Sequence, residues 1–193
     1  MSKMEKHMNK AIQKMEKKLL AECDKELCMV YAAVSISLKR YWGWGQQRLR
    51  SLIDTNGEIW HECRLAREET SVMEFLENET GIELRLDMDG QSWHDIDFLN
   101  GKLKLYKIGR MTPQQVLYMR HRQLKWIGTM IQACAYLGLH RRFGFGPERI
   151  KRVMDQMYEV RQEFRENEKA LIDACIRETG IDVAEAIHQT VSA

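Results

Sequence analysis

Residues 29–63, MVYAAVSISLKRYWGWGQQRLRSLIDTNGEIWHEC, and residues 130–164, MIQACAYLGLHRRFGFGPERIKRVMDQMYEVRQEF, superpose without a gap. The paired identities are Met29/Met130, Ala32/Ala133, Leu38/Leu139, Arg40/Arg141, Gly43/Gly144, Gly45/Gly146, Arg48/Arg149, Asp54/Asp155, Glu58/Glu159 and Glu62/Glu163. Trp42/Phe143 and Trp44/Phe145 keep an aromatic, and after a two-residue shift Glu79-Thr80-Gly81-Ile82 returns as Glu178-Thr179-Gly180-Ile181. Two copies within one chain drift separately, so what they still share is what the unit needs. The shared kernel is a helix, a turn of the form aromatic-Gly-aromatic-Gly, and a second helix carrying Arg.

Working outward, residues 4–38 place Met4, Met8, Ile12, Met15, Leu19, Cys23, Leu27, Val30 or Tyr31, Val34 and Leu38 three or four apart with Lys and Glu between. That spacing predicts one amphipathic helix, or two joined end to end. After the first turn a helix runs through Leu49, Leu52 and Ile53, and Asn56-Gly57 is a place where it is expected to bend. Another helix through Val72, Met73, Phe75 and Leu76 stops at Gly81. Ile82–Asp89 and Leu103–Gly109 alternate apolar and polar residues, which predicts a short strand pair. Thr112-Pro113 starts the helix that leads into the second copy.

The expected fold is mainly α, with two pseudo-twofold-related helical repeats and a small β element between them. Its parts are a basic amphipathic helix at 1–28, repeat one at 29–84, an insert at 85–111, repeat two with its lead-in helix at 112–183, and a C-terminal tail at 184–193.

Composition narrows the function. Thirty Lys and Arg against twenty-eight Asp and Glu leave a formal charge of +2, so anion binding has to come from local clusters and not from a whole-molecule field. Five cysteines, Cys23, Cys28, Cys63, Cys134 and Cys175, lack any CxxC or short Cys/His spacing and read as free thiols of a reducing cytosol. No apolar run reaches the ~20 residues of a membrane span, so a cytoplasmic protein without membrane contact is expected.

Catalysis is not expected. There is no serine nucleophile elbow, phosphate-loop lysine motif or dinucleotide fingerprint, and His61-Glu62 lacks the second histidine of a zinc-hydrolase helix. Asp87, Asp89, Asp95 and Asp97, with His94, form an acidic group that offers oxygen ligands but has no calcium-loop pattern, and it reads as solvated. No cofactor is expected. The run Arg120–Lys125 and the lysines before Lys18 read first as wet helix faces.

The chemistry therefore concentrates at the turns. A helix that ends and restarts within a few residues needs glycine for left-handed or strained dihedrals. The new helix then offers unpaired N–H groups to an anion. Cations bracket both turns: Lys39, Arg40, Arg48 and Arg50 around Gly43 and Gly45, and Arg141, Arg142, Arg149, Lys151 and Arg152 around Gly144 and Gly146. The same turn also reads as a plain helical corner plugged by its aromatics, as a protein-binding surface, or as a platform for stacked bases, with one aromatic of each pair facing inward.

The strings YWGWGQQRLRSLI and RFGFGPERIKRVM resemble the helix-hairpin-helix motif of DNA-repair and replication proteins. That resemblance implies binding to a nucleic-acid backbone, double-stranded DNA first, without reading sequence. The turn together with Arg-Ile/Leu and the later Glu-Thr-Gly-Ile-Asp is also similar to small phage and prophage proteins of Firmicutes. This second resemblance implies a mobile-element setting and a non-enzymatic role. Its alternative is a counter-defence protein, such as an anti-CRISPR, that blocks a host immune effector by direct contact. A homodimer is left open.

Overall fold

The computed structural model describes residues 3–66, 71–84, 113–165 and 167–191. Seven helices account for nearly all of them: α1 (Lys3–Trp42), α2 (Gln46–Ala66), α3 (Ser71–Thr80), α4 (Pro113–Phe143), α5 (Pro147–Glu163), α6 (Glu168–Thr179) and α7 (Val183–Val191). The protein is mainly helical, and no strand occurs among the described residues. Most of the expected strand pair, and the acidic group Asp87, Asp89, Asp95 and Asp97, lie outside them, as does the insert at 85–111.

Helices α1 and α4 form the centre. Every residue from Met29 to Leu38 is buried, and from Ile131 to Leu139 all are buried but the half-buried Gln132. A helix covered on all sides is a core helix and not a surface one, and each fully buried aliphatic side chain there contributes about 1.5–3 kcal/mol. Small residues make this crowding possible. A Cβ on Gly128 would stand 3.2 Å from the Glu26 carboxylate on α1. The two helices run side by side in the same direction, since Gly128 lies beside Glu26 and their C-terminal ends meet where Trp42 and Trp44 pack on Phe145 and Phe143.

The other helices cover this pair crosswise. Helices α5 and α6, which follow α4, pack chiefly on α1, and α2 and α3, which follow α1, pack chiefly on α4. Helix α7 leans on α2 and α1 and seats Val183 and Ala186 in the core. The expected C-terminal tail thus contains a helix, started by Asp182, whose Oδ1 accepts from the N–H of Ala184 (3.0 Å) and Glu185 (3.2 Å).

At Asn56-Gly57, where a bend is expected, the helix is not interrupted: α2 continues through both. Tertiary packing outweighs the local glycine cost of about 1 kcal/mol, because Asn56 is buried against α4 where Gly138 leaves room. A Cβ on Gly138 would come within 2.9 Å of Asn56 Oδ1.

Candidate functional site

Each turn is built in the same way. Leu38 C=O accepts from Trp44 N–H at 3.1 Å and Lys39 C=O from Gly43 N–H at 3.2 Å; Leu139 C=O accepts from Phe145 N–H at 3.1 Å and His140 C=O from Gly144 N–H at 3.0 Å. This closure of a helix end requires a left-handed residue. Gly43 (φ +66°) and Gly144 (φ +65°) supply it.

The second glycine of each turn corrects the sequence expectation. Gly45 and Gly146 are not among the positive-φ residues, and Gly146 sits at φ −75°, ψ 171°. Each caps the next helix: Gly45 C=O accepts from Arg48 and Leu49, and Gly146 C=O from Arg149 and Ile150, at 3.0–3.2 Å. A Cβ at either would meet nothing within 4 Å. Neither conformation nor internal packing asks for glycine there.

Between the turns the four aromatic rings form one cluster. Trp42 lies 4.9 Å from Phe145, Trp44 lies 4.6 Å from Phe143, and Trp44 meets Phe145 edge-on at 5.7 Å. Trp44 and Phe145 are buried, while Trp42 and Phe143 are half-buried and Trp42 Nε1 donates to Gln156 Oε1 at 2.8 Å. Rings stacked on one another in this way are spent on packing, which leaves little face for nucleic-acid bases.

Two cations expected to meet phosphate are engaged elsewhere. Arg40 grips Glu178 through Nε and Nη2, both at 2.8 Å, and reaches Glu163 through Nη1. Arg141 grips Glu79 through Nε and Nη2 and donates Nη1 to Glu62 at 2.6 Å. Two carboxylates on one guanidinium, one of them gripped by paired N–H groups, occupy the donors that a solvent-borne anion would need. Arg40 holds the Glu178 carboxyl below its ordinary value, and the carboxylates hold both arginines above theirs.

The partners of these arginines were missed in the sequence, although a signal existed. Glu62/Glu163 is one of the retained pairs, and the echoed Glu-Thr-Gly-Ile supplies Glu79 and Glu178. The structure gives that echo a job at every position. Thr80 and Thr179 return their hydroxyls to Leu76 and Cys175 C=O (2.6 and 2.7 Å) and accept from Ile82 and Ile181 N–H (3.2 Å each). Gly81 and Gly180 take positive φ, and Ile82 and Ile181 plug the core.

The remaining expected cations stay at the surface around the turns. Arg48 lies over Trp44 at 4.3 Å and Phe143 at 5.4 Å, and Arg149 lies over Phe145 at 5.7 Å. Such stacking is worth about 0.5–1 kcal/mol at an exposed site and leaves the N–H groups free to turn outward. Lys39, Arg50, Arg142 and Arg152 are exposed, and Lys151 is exposed with Glu148 3.3 Å away. The two turns differ in their amides: Gln46 and Gln47 open α2, whereas Pro147 has no N–H to give at the start of α5.

Among the described residues, no cluster of three or more His, Cys, Asp or Glu side chains has a metal-binding arrangement. Cys23, Cys28, Cys134 and Cys175 form no disulfide, and burial pushes Cys28 and Cys175 up to about 11, which disfavours the nucleophilic thiolate. No helix among the described residues is long and apolar enough to cross a membrane. No family model, curated protein or solved structure matches the chain.

Proposed function

We propose that the protein is a non-enzymatic binder of nucleic-acid backbone, double-stranded DNA first, acting through one face that carries both glycine turns, in a phage or mobile-element setting. The observation that carries this reading is the second glycine of each turn. Gly45 and Gly146 open a helix, take no positive φ and have empty space where a side chain would stand. A helix cap is better served by Ser, Asp or Asn, whose side chains bond the free N–H groups. Glycine at both positions is accounted for by something outside the chain that approaches the backbone closely. Exposed Arg48 and Arg149, one turn further on and without an ion pair among the described residues, are the cations placed to accompany it.

On this reading the molecule consists of two pseudo-twofold-related repeats. The reciprocal pairing of Arg40 with Glu163 and Glu178 and of Arg141 with Glu62 and Glu79 supports that arrangement. Those two arginines hold the frame, and Lys39, Arg48, Arg50, Arg142, Arg149, Lys151 and Arg152 form the binding face. Neutralising about four phosphates gives a log-log salt slope near −3.6, roughly a hundredfold loss of affinity for a fourfold rise in salt.

The test is a titration of labelled duplex DNA at two ionic strengths with three variants. Arg48→Glu with Arg149→Glu is expected to abolish binding, Gly45→Ala with Gly146→Ala to weaken it about tenfold, and Arg40→Gln with Arg141→Gln to leave affinity unchanged while lowering stability. Absence of binding at low salt rejects the reading. A partner retained from host lysate after nuclease treatment would replace it with the protein-interaction alternative.

A further inference from the structure

Among the described residues, the crosswise packing places most helix-to-helix contact between the N-terminal half (residues 3–84) and the C-terminal half (residues 113–191). Each half brings its own long helix and its own pair of covering helices, and each set of covering helices lies on the other half's long helix. The arginine pairs do not tell the halves apart. Each half owns one arginine and two glutamates, so two like halves would form the same bonds.

Other positions do tell them apart. Arg161 Nη1 donates to Glu26 Oε1 at 2.9 Å, with side chains only 15% and 24% exposed. In the register of the repeat their counterparts are Trp60 and Ile127, both partly buried against the core. Two N-terminal halves together would set Glu26 opposite Trp60 twice. Two C-terminal halves would set Arg161 opposite Ile127 twice. Either pairing takes the half-buried charge away from the opposite charge it meets in the unlike pairing, a costly change.

Gly138 adds a steric criterion. Its Cβ would come 2.9 Å from Asn56 Oδ1 and 3.1 Å from Leu52 Cδ1, and its counterpart is Ser37. Two N-terminal halves would thus press a serine Cβ against the ends of the Asn56 and Leu52 side chains, which would have to shift. Trp42 adds a third: its Nε1 donates to Gln156, but its counterpart Phe143 has no donor, and Thr55, the counterpart of Gln156, bonds Ser51 C=O on its own helix.

We infer that this surface has diverged, after the duplication proposed above, into one that accepts only the unlike half, within one chain or between two. The inference rests on the repeat and is independent of nucleic-acid binding. A full chain with a protease site inserted between Phe98 and Leu99 is folded intact, cut, and diluted to nanomolar concentration. It is then mixed with a mass-labelled copy, unfolded in urea, refolded and read by native mass spectrometry.

The pieces are expected to stay together on dilution. After refolding they should pair as one N-terminal with one C-terminal piece, with like pairs at least about a hundredfold rarer, about tenfold for each misplaced charge. Like pairs in statistical proportion, separation on dilution, or failure to rejoin each overturns the inference. In a second cut chain, Glu26→Ile with Arg161→Trp makes the two sides alike at this charge pair. Like pairs must then rise, and unchanged sorting removes these residues as its cause.

Discussion

The two glycines of each turn look alike in sequence and should behave oppositely under the same substitution. At Gly43, φ is +66° and a Cβ meets nothing within 4 Å, so the full cost of alanine is the left-handed backbone itself. That cost is about 1–2 kcal/mol. Restricting the unfolded chain returns about 0.4–1 kcal/mol, which leaves a net loss of about 1 kcal/mol. In a chain of this length each kcal/mol lowers the melting temperature by about 2–4 °C. At Gly45 the backbone carries no such strain, and the unfolded-state gain is offset by the poorer helix cap that alanine makes. Gly45→Ala should therefore stay within about 0.5 kcal/mol of the parent. Urea and thermal unfolding followed by helical circular dichroism would read both, with Gly43→Asn as a control that falls between parent and alanine because asparagine tolerates this region. An equal loss at Gly43 and Gly45, or no loss at Gly43, refutes the reasoning and with it the argument that the second glycine serves an outside partner.

Further outcomes follow from the same geometry. Because Arg40 holds the Glu178 carboxyl below its ordinary value, the pair's stabilisation is complete above the unfolded carboxyl's range and fades as pH falls through the lowered folded value; the acid limb of a stability-against-pH curve should flatten in Arg40→Gln. An Arg40→Ala/Glu178→Ala double-mutant cycle should give a coupling of about 0.5–1 kcal/mol, weakened by salt, since both groups are partly solvated. Trp44→Ala removes a buried ring that touches Phe143 and Phe145 and should cost about 3–5 kcal/mol in urea unfolding. Cys175, buried and pushed up to about 11, should react with a thiol reagent at pH 8 only as fast as the protein unfolds.

Much of the helical framework was legible because it is local. Three-and-four spacing marked residues 4–38 as helical without deciding between one helix and two, Thr112-Pro113 marked the start of α4, and glycine marked the stops after Trp42, Thr80, Phe143 and Thr179. Periodicity says which face is apolar but not what covers it, so nothing in Met29–Leu38 told that α5 and α6, and not α2, would lie on it. The same limit hid the partners of Arg40 and Arg141: both stand next to a turn suited to an anion, yet their carboxylates come from residues more than sixty positions away. Asn56-Gly57 misled for the related reason that a buried asparagine opposite Gly138 is a tertiary fact. The turn glycines were placed correctly and explained only by half, because sequence cannot separate a glycine needed for its dihedral from one needed for bare backbone.

The crosswise cover has a consequence for synthesis. The first eighty-odd residues leave the ribosome with the apolar stretch from Met29 to Leu38 finished, but the helices that will shield it, α5 and α6, are still being translated. Native structure must wait until α5 and α6 have emerged, and long-range closure of this kind slows folding. Until then the apolar stretch is the kind of exposed surface that aggregates, and a premature stop before Thr179 should be as damaging as loss of α1.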